Sequence, residues 1–175
     1  MFKLKFLTSL ICLLALYSCK EGNESESTPQ PETQETATNT ISVKDIEAID
    51  YTEYVLSDLT EKEVDNWPEF LQLEDKIEAI KNSDFTCLTD ISLLTSFVKD
   101  LKNGIPLNID HPSINVRLTV LETALFKLES INNLSNVSKA LKLEYIKEVL
   151  VSHSNLIFQM NKELEKASQI VEDTF

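Results

Sequence analysis

The chain has 175 residues and carries 29 acidic against 16 basic side chains, a formal net charge of −13. An acidic surface repels phosphate backbones, so nucleic acid is excluded as a natural partner. Two glycines and a single arginine, Arg117, rule out glycine-rich phosphate cradles and leave bidentate clamping of anions poorly supplied.

The N-terminus reads as an address. Lys3 and Lys5 precede an almost wholly apolar run from Phe6 to Tyr17. About 20 apolar residues are needed to span a bilayer, so this run is too short, and the pattern is that of an export signal over residues 1–18. It ends in Leu16-Tyr17-Ser18-Cys19. With an aliphatic residue three before the cysteine and a small one just before it, this end resembles the lipobox of bacterial lipoproteins cut by signal peptidase II. The resemblance implies that Cys19 receives a diacylglycerol and becomes the new N-terminus, so that the chain's first partner is a membrane. Lys20 stands where an aspartate would favour inner-membrane retention. The stretch Glu21 to Glu26 resembles the acidic tract of Bacteroidota lipoproteins sent to the cell surface. The resemblance implies an outer-membrane location, facing the cell surface or the periplasm.

Removing residues 1–18 takes Lys3 and Lys5 away and leaves 14 basic against 29 acidic residues, a net charge of −15. That balance disfavours polybasic membrane contact and suits a body held off the lipid by its anchor. Residues 19–42 read as the lipidated cysteine and a disordered acidic linker. From 20 to 42 there are five Glu, five Thr, three Ser and two Pro, with Ala37 and Ile41 almost the only apolar side chains. Such a segment buries too little surface to offset its ordering entropy, and its flexible reach is roughly 25 Å. Cys87 is left without an intramolecular partner and reads as a buried, inert thiol.

Residues 43–175 are long enough for one domain with a real core. Glycine scarcity argues against a β-rich fold, and the apolar spacing is helical. A first helix is expected over 43–59, with Ile46, Ile49, Leu56 and Leu59 inward. Thr60 to Glu63 has the spacing of a capping box. Pro68 suits the first turn of a helix over 68–82, whose face is Phe70, Leu73, Ile77 and Ile80. Ser83 or Asp84 is expected to cap a third helix running to about 103, stopped by Gly104-Ile105-Pro106. Asp110 is expected to cap a fourth, with Pro112 in its first turn and Asn132-Asn133 at its end. A fifth begins near Ser135 or Ser138 and keeps a three-four spacing from Leu143 to Val171. That is the longest periodic stretch, and it argues for bundle or coiled-coil packing. Ser152-His153-Ser154-Asn155 is expected to break or kink it. The fold class expected is therefore all-α, a bundle of four to five helices with a long C-terminal helix behind a disordered linker. No internal repeat points to a solenoid.

Chemistry-bearing residues are few. His153 sits on the apolar seam of the last helix, with Met160 one heptad later, so the two are the ligand candidates for haem or copper in a bundle core. Their plainer reading is a hydrogen-bonded core-edge histidine and a packed methionine. Asp110-His111-Pro112 has the ingredients of a catalytic set, but a helix cap and a loop histidine explain it as well. Glu61, Glu63 and Asp65 cluster without the Asp-x-Asp-x-Asp-Gly loop of a calcium site. Trp67, Tyr51 and Tyr54 are either contact anchors or the cap of the core, and the core reading is favoured. Glu144–Lys147, Glu78–Lys81 and Glu163–Lys166 read as pairs on exposed helix faces. No cofactor, metal or catalytic constellation is indicated. The whole resembles the small helical lipoproteins of Bacteroidota, and the function expected is a non-enzymatic interaction or scaffold module with an envelope protein as partner. The alternative is a binder of a small ligand, haem or metal in the bundle core.

Overall fold

The computed structural model describes residues 40–172, and every regular element among them is helical. Two short helices, α1 (Val43–Glu47) and α2 (Asp58–Val64), precede four long ones: α3 (Pro68–Lys81), α4 (Ile91–Asn103), α5 (Pro112–Asn132) and α6 (Lys139–Glu172). A single 3-10 turn, Thr86–Leu88, lies between α3 and α4. The all-α class and the long last helix follow the apolar spacing of the sequence. The export signal, Cys19 and the linker up to residue 39 lie outside the described residues. The body itself takes in Ile41, which is buried, and Ser42, the cap of α1.

The α5–α6 pair is the most extensive packing in the fold. It is antiparallel: Ser113 Oγ donates to Glu163 (2.7 Å), Lys127 Nζ to Glu148 (2.8 Å) and Lys142 Nζ to Asn132 (2.7 Å). Ile114, Leu118, Leu121, Leu125 and Leu128 of α5 are buried with Ile146, Leu150, Ile157 and Met160 of α6. At 1.5 Å per residue the 34 residues of α6 reach about 51 Å, so α6 runs on past the start of α5. Trp67 is fully buried at the start of α3, its ring 5.2 Å from that of Phe70 and its Nε1–H donating to the Leu101 carbonyl at 3.0 Å.

Several local expectations are corrected. The helix expected over 43–59 is interrupted: α1 ends at Glu47 and the chain runs without regular structure to Ser57. Tyr51, Thr52, Tyr54 and Val55 are β-branched or aromatic and favour an extended backbone. Ser57, not Thr60, caps α2; its Oγ accepts from the Thr60 N–H at 3.3 Å, and Thr60 is a buried first-turn residue. The third helix starts at Ile91, capped by Asp90, which accepts from Ser92 and Leu93. Ser83 instead ends α3, with a left-handed φ of 62°. The Asp84 N–H reaches the Ala79 carbonyl and the Ser83 N–H that of Ile80, a Schellman pair. Asp110 does not cap α5: His111 holds the cap position without a side-chain bond, and Asp110 accepts from Asn115 Nδ2 at 2.8 Å.

Gly104 does stop α4, but for another reason than backbone freedom. Its φ is an ordinary −86°. A Cβ there would stand 3.2 Å from the Trp67 ring and 2.6 Å from a Glu69 carboxylate oxygen, so any larger residue at 104 would crowd the tryptophan ring and that carboxylate.

Candidate functional site

The expected break in α6 does not occur, and the residues that suggested it form a hydrogen-bonding edge. Ser154 and Asn161 are seven residues apart, two turns of α6 and about 10.5 Å along its axis. Ser154 Oγ accepts from the Tyr54 N–H and donates to the Thr52 carbonyl, both at 2.8 Å. Asn161 Oδ1 accepts from the Ser57 N–H at 2.9 Å, and its Nδ2 donates to the Val55 carbonyl at 2.8 Å. Each side chain therefore satisfies one N–H and the C=O two residues before it. Along the segment Asp50–Ser57, the strap, the three residue steps from Tyr54 to Ser57 cover the axial distance between the two clips, about 3.5 Å per step, which is an extended chain. Ser152, which adds to the polar character, bonds back to the Glu148 carbonyl at 2.6 Å within the helix.

This strap is lightly held by its side chains. From Ala48 to Leu59 every one is exposed or half-buried. Tyr54, read from the sequence as core, is exposed and rests on Phe158 with ring centroids 4.7 Å apart. Tyr51 is half-buried. Lys81 reaches Glu53 on the strap instead of pairing only within its own helix. Burial works against the Lys81 charge, but the bond to Glu53 and the surrounding negative groups outweigh it, so its pKa is raised. Beneath the strap's start lies a cleft of about 320 Å³ whose lining includes Ile46, Ile49, Tyr51, Glu78, Lys81 and Leu150.

Of the two ligand candidates, His153 is buried and its Nε2 lies 2.6 Å from Glu74 Oε1 of α3. Met160 is fully buried within the apolar core. Among the described residues no three His, Cys, Asp or Glu side chains are grouped to hold a metal ion. Asp110 and His111 stand at the entry to α5 as described above. Glu63, from the acidic cluster, accepts from Asn108 Nδ2 at 3.1 Å and ties α2 to the loop before α5. Cys87 is half-buried, and burial raises its thiol pKa, which keeps it a poor nucleophile.

A second feature lies along the other flank of α6. Two shallow clefts, of about 390 and 440 Å³, share Thr123 and Lys127 and follow the α5–α6 seam. Val120 and Val151 line the first, and Phe126 and Tyr145 the second. Val116, one turn before Val120, is 60% exposed and Val120 46%. Sequence reasoning passed over this pair. The signal was present, because Val116 and Val120 repeat at i, i+4 outside the Ile114-Leu118-Leu121 series that fills the core. No family model, curated protein or solved structure matches the chain.

Proposed function

We propose that this chain is an outer-membrane lipoprotein, anchored through Cys19, whose helical body is a non-enzymatic interaction module for another envelope protein. The observation that supports this reading is the apolar seam between α5 and α6. Val116 and Val120 stand exposed beside a groove with Val151, Phe126 and Tyr145, and a contiguous apolar surface is a contact site more often than a neutral one. The chemistry it offers is flat aliphatic and aromatic area crossed by the Lys127–Glu148 pair, suited to a partner helix laid along the seam. In the alternative reading, a small ligand in the bundle core, His153 and Met160 carry the binding. Glu74 already occupies the histidine, and neither residue lines any of the clefts described above.

The test is cross-linking in intact cells followed by mass spectrometry of what is attached to the full chain. An envelope protein recovered with the native chain and lost with Val120→Asp supports the seam. Val120 is partly exposed, so the charge is expected to leave the melting temperature within about 2 °C. Recovery undiminished by Val120→Asp, with the variant folded, counts against it.

A further inference from the structure

The strap is itself a bound extended peptide, and its mode of binding shows what α6 recognises. Ser154 and Asn161 touch only main-chain N–H and C=O groups of residues 52 to 57 in these four bonds. They read a polypeptide backbone at a fixed spacing and place no demand on sequence. Ser154 is 2% exposed, a buried polar side chain on a helix whose satisfaction depends on that backbone. The strap gives little in return. No side chain from Ala48 to Leu59 is fully buried, and its anchors are Ile49, Tyr51 and Leu56, half-buried against the edge of the core, a tilted ring on Phe158 and the Glu53–Lys81 pair. Segments with few buried apolar contacts and exposed backbone bonds open first.

We infer that the Asp50–Ser57 strap is a releasable occupant of an extended-peptide track on α6, and that the track's ligand in trans is an acidic, aromatic-containing segment of a partner polypeptide. Exchange is like for like. An incoming extended segment restores all four backbone bonds, so the hydrogen-bond balance stays level. Selectivity then comes from three places: an aromatic ring over Phe158, an aliphatic group where Leu56 sits, and a carboxylate facing Lys81. The strap's advantage is its covalent attachment, which gives it an effective concentration on the order of millimolar. A trans segment with better side chains overcomes that advantage, and weakening the strap lowers the barrier. Ser154, Phe158 and Asn161 line neither of the seam clefts, so the track rests on different residues from the seam reading.

The experiment uses a fluorescent peptide with the sequence of residues 49–58, titrated by anisotropy into the full chain and into Tyr54→Pro/Leu56→Ala. The proline removes the N–H that Ser154 accepts from, and neither position is fully buried, so helicity should be retained. The peptide is expected to bind the double variant at least about tenfold more tightly than the native chain. Adding Asn161→Ala is expected to reduce that binding at least about tenfold. No binding by a helical double variant, or binding indifferent to Asn161→Ala, overturns the inference. Hydrogen exchange on the native chain gives a second reading. The Tyr54 and Ser57 amides should exchange at least about 100-fold faster than those of Leu156 and Ile157. Equal protection would mean that the strap opens only with the whole body, which also overturns it. Loss of envelope-partner capture in Val120→Asp with peptide binding intact would separate the two surfaces.

Discussion

The bond between His153 and Glu74 joins a buried ring to a carboxylate that still reaches water; the histidine side chain is 8% exposed and the glutamate 38%. The two partners should therefore respond differently to removal. His153→Leu places an aliphatic side chain of similar size on an apolar seam and leaves Glu74 free to turn to solvent. Its expected effect on stability is within about 1 kcal/mol of neutral. Glu74→Ala leaves a polar ring inside the bundle without its partner, and the expected loss is about 1–3 kcal/mol. Urea unfolding of the two variants decides the point, and a His153→Leu loss larger than that of Glu74→Ala would show that the histidine does more than fill the seam. The serine at position 83 follows similar logic. It bears the cost of a left-handed backbone where glycine is usual, while its Oγ–H donates to the Ile41 carbonyl at 2.7 Å and so ties the start of the body to the end of α3.

Among the elements, α1 is tied to α6 by a charge pair. Asp45 accepts from the backbone and hydroxyl of Ser42 and lies 2.8 Å from Lys139 at the start of α6. The bond to Lys139, then those to Ser42, hold its carboxyl at about 2, against 3.8 ordinarily. A folded-state pKa below the unfolded one contributes stability above the unfolded value, lost as pH falls through the folded one. The contribution of the Asp45 charge to holding α1 on α6 should thus be intact above about pH 4 and fade between about 4 and 2, while the buried Ile46 keeps its own hold. Hydrogen exchange at the Asp45 and Ile46 amides across that window should show the weakening, and Asp45→Asn should remove the pH step. Helices α3 and α5 were legible because their apolar residues recur every three or four positions, each starts on a proline, and α5 ends on paired asparagines. The strap was not. Ile46, Ile49, Leu56 and Leu59 fit a helix as well as they fit an interrupted chain, and the partners that decide between the two lie about 100 residues away. For the same reason Ser152 to Asn155 read as a weakness in α6. A serine that lowers helix propensity in isolation becomes the bonding edge once a backbone lies against it. The seam was half legible: the Val116–Val120 repeat is visible in sequence, but not that α6 would leave it uncovered.

For the molecule as a whole, the proposed membrane location raises the question of what would hold a strongly acidic body there. None of the described helices is long and apolar enough to cross a bilayer. With residues 1–18 removed, as the proposed reading has it, the net charge of −15 offers anionic head groups nothing to attract. In the proposed reading the attachment rests on lipid at Cys19, and at least two acyl chains are needed for stable anchoring. This has a consequence that separates lipid attachment from an ordinary export signal. If the cysteine is acylated before the cut, Cys19→Ala blocks both steps and the chain keeps its first 18 residues. The native chain grown with labelled fatty acid should take up label and show an intact mass lacking residues 1–18. Cys19→Ala should take up none and keep the full mass. Its apolar run from Phe6 to Tyr17 would still hold it in the membrane fraction, so fractionation alone is the wrong measurement and mass is the right one. A Cys19→Ala chain that is cut normally and released would identify a conventional signal peptide, and the body would then be a free exported protein. Either way residues 40–172 should melt at the same temperature, because none of their bonds described above involves residue 19.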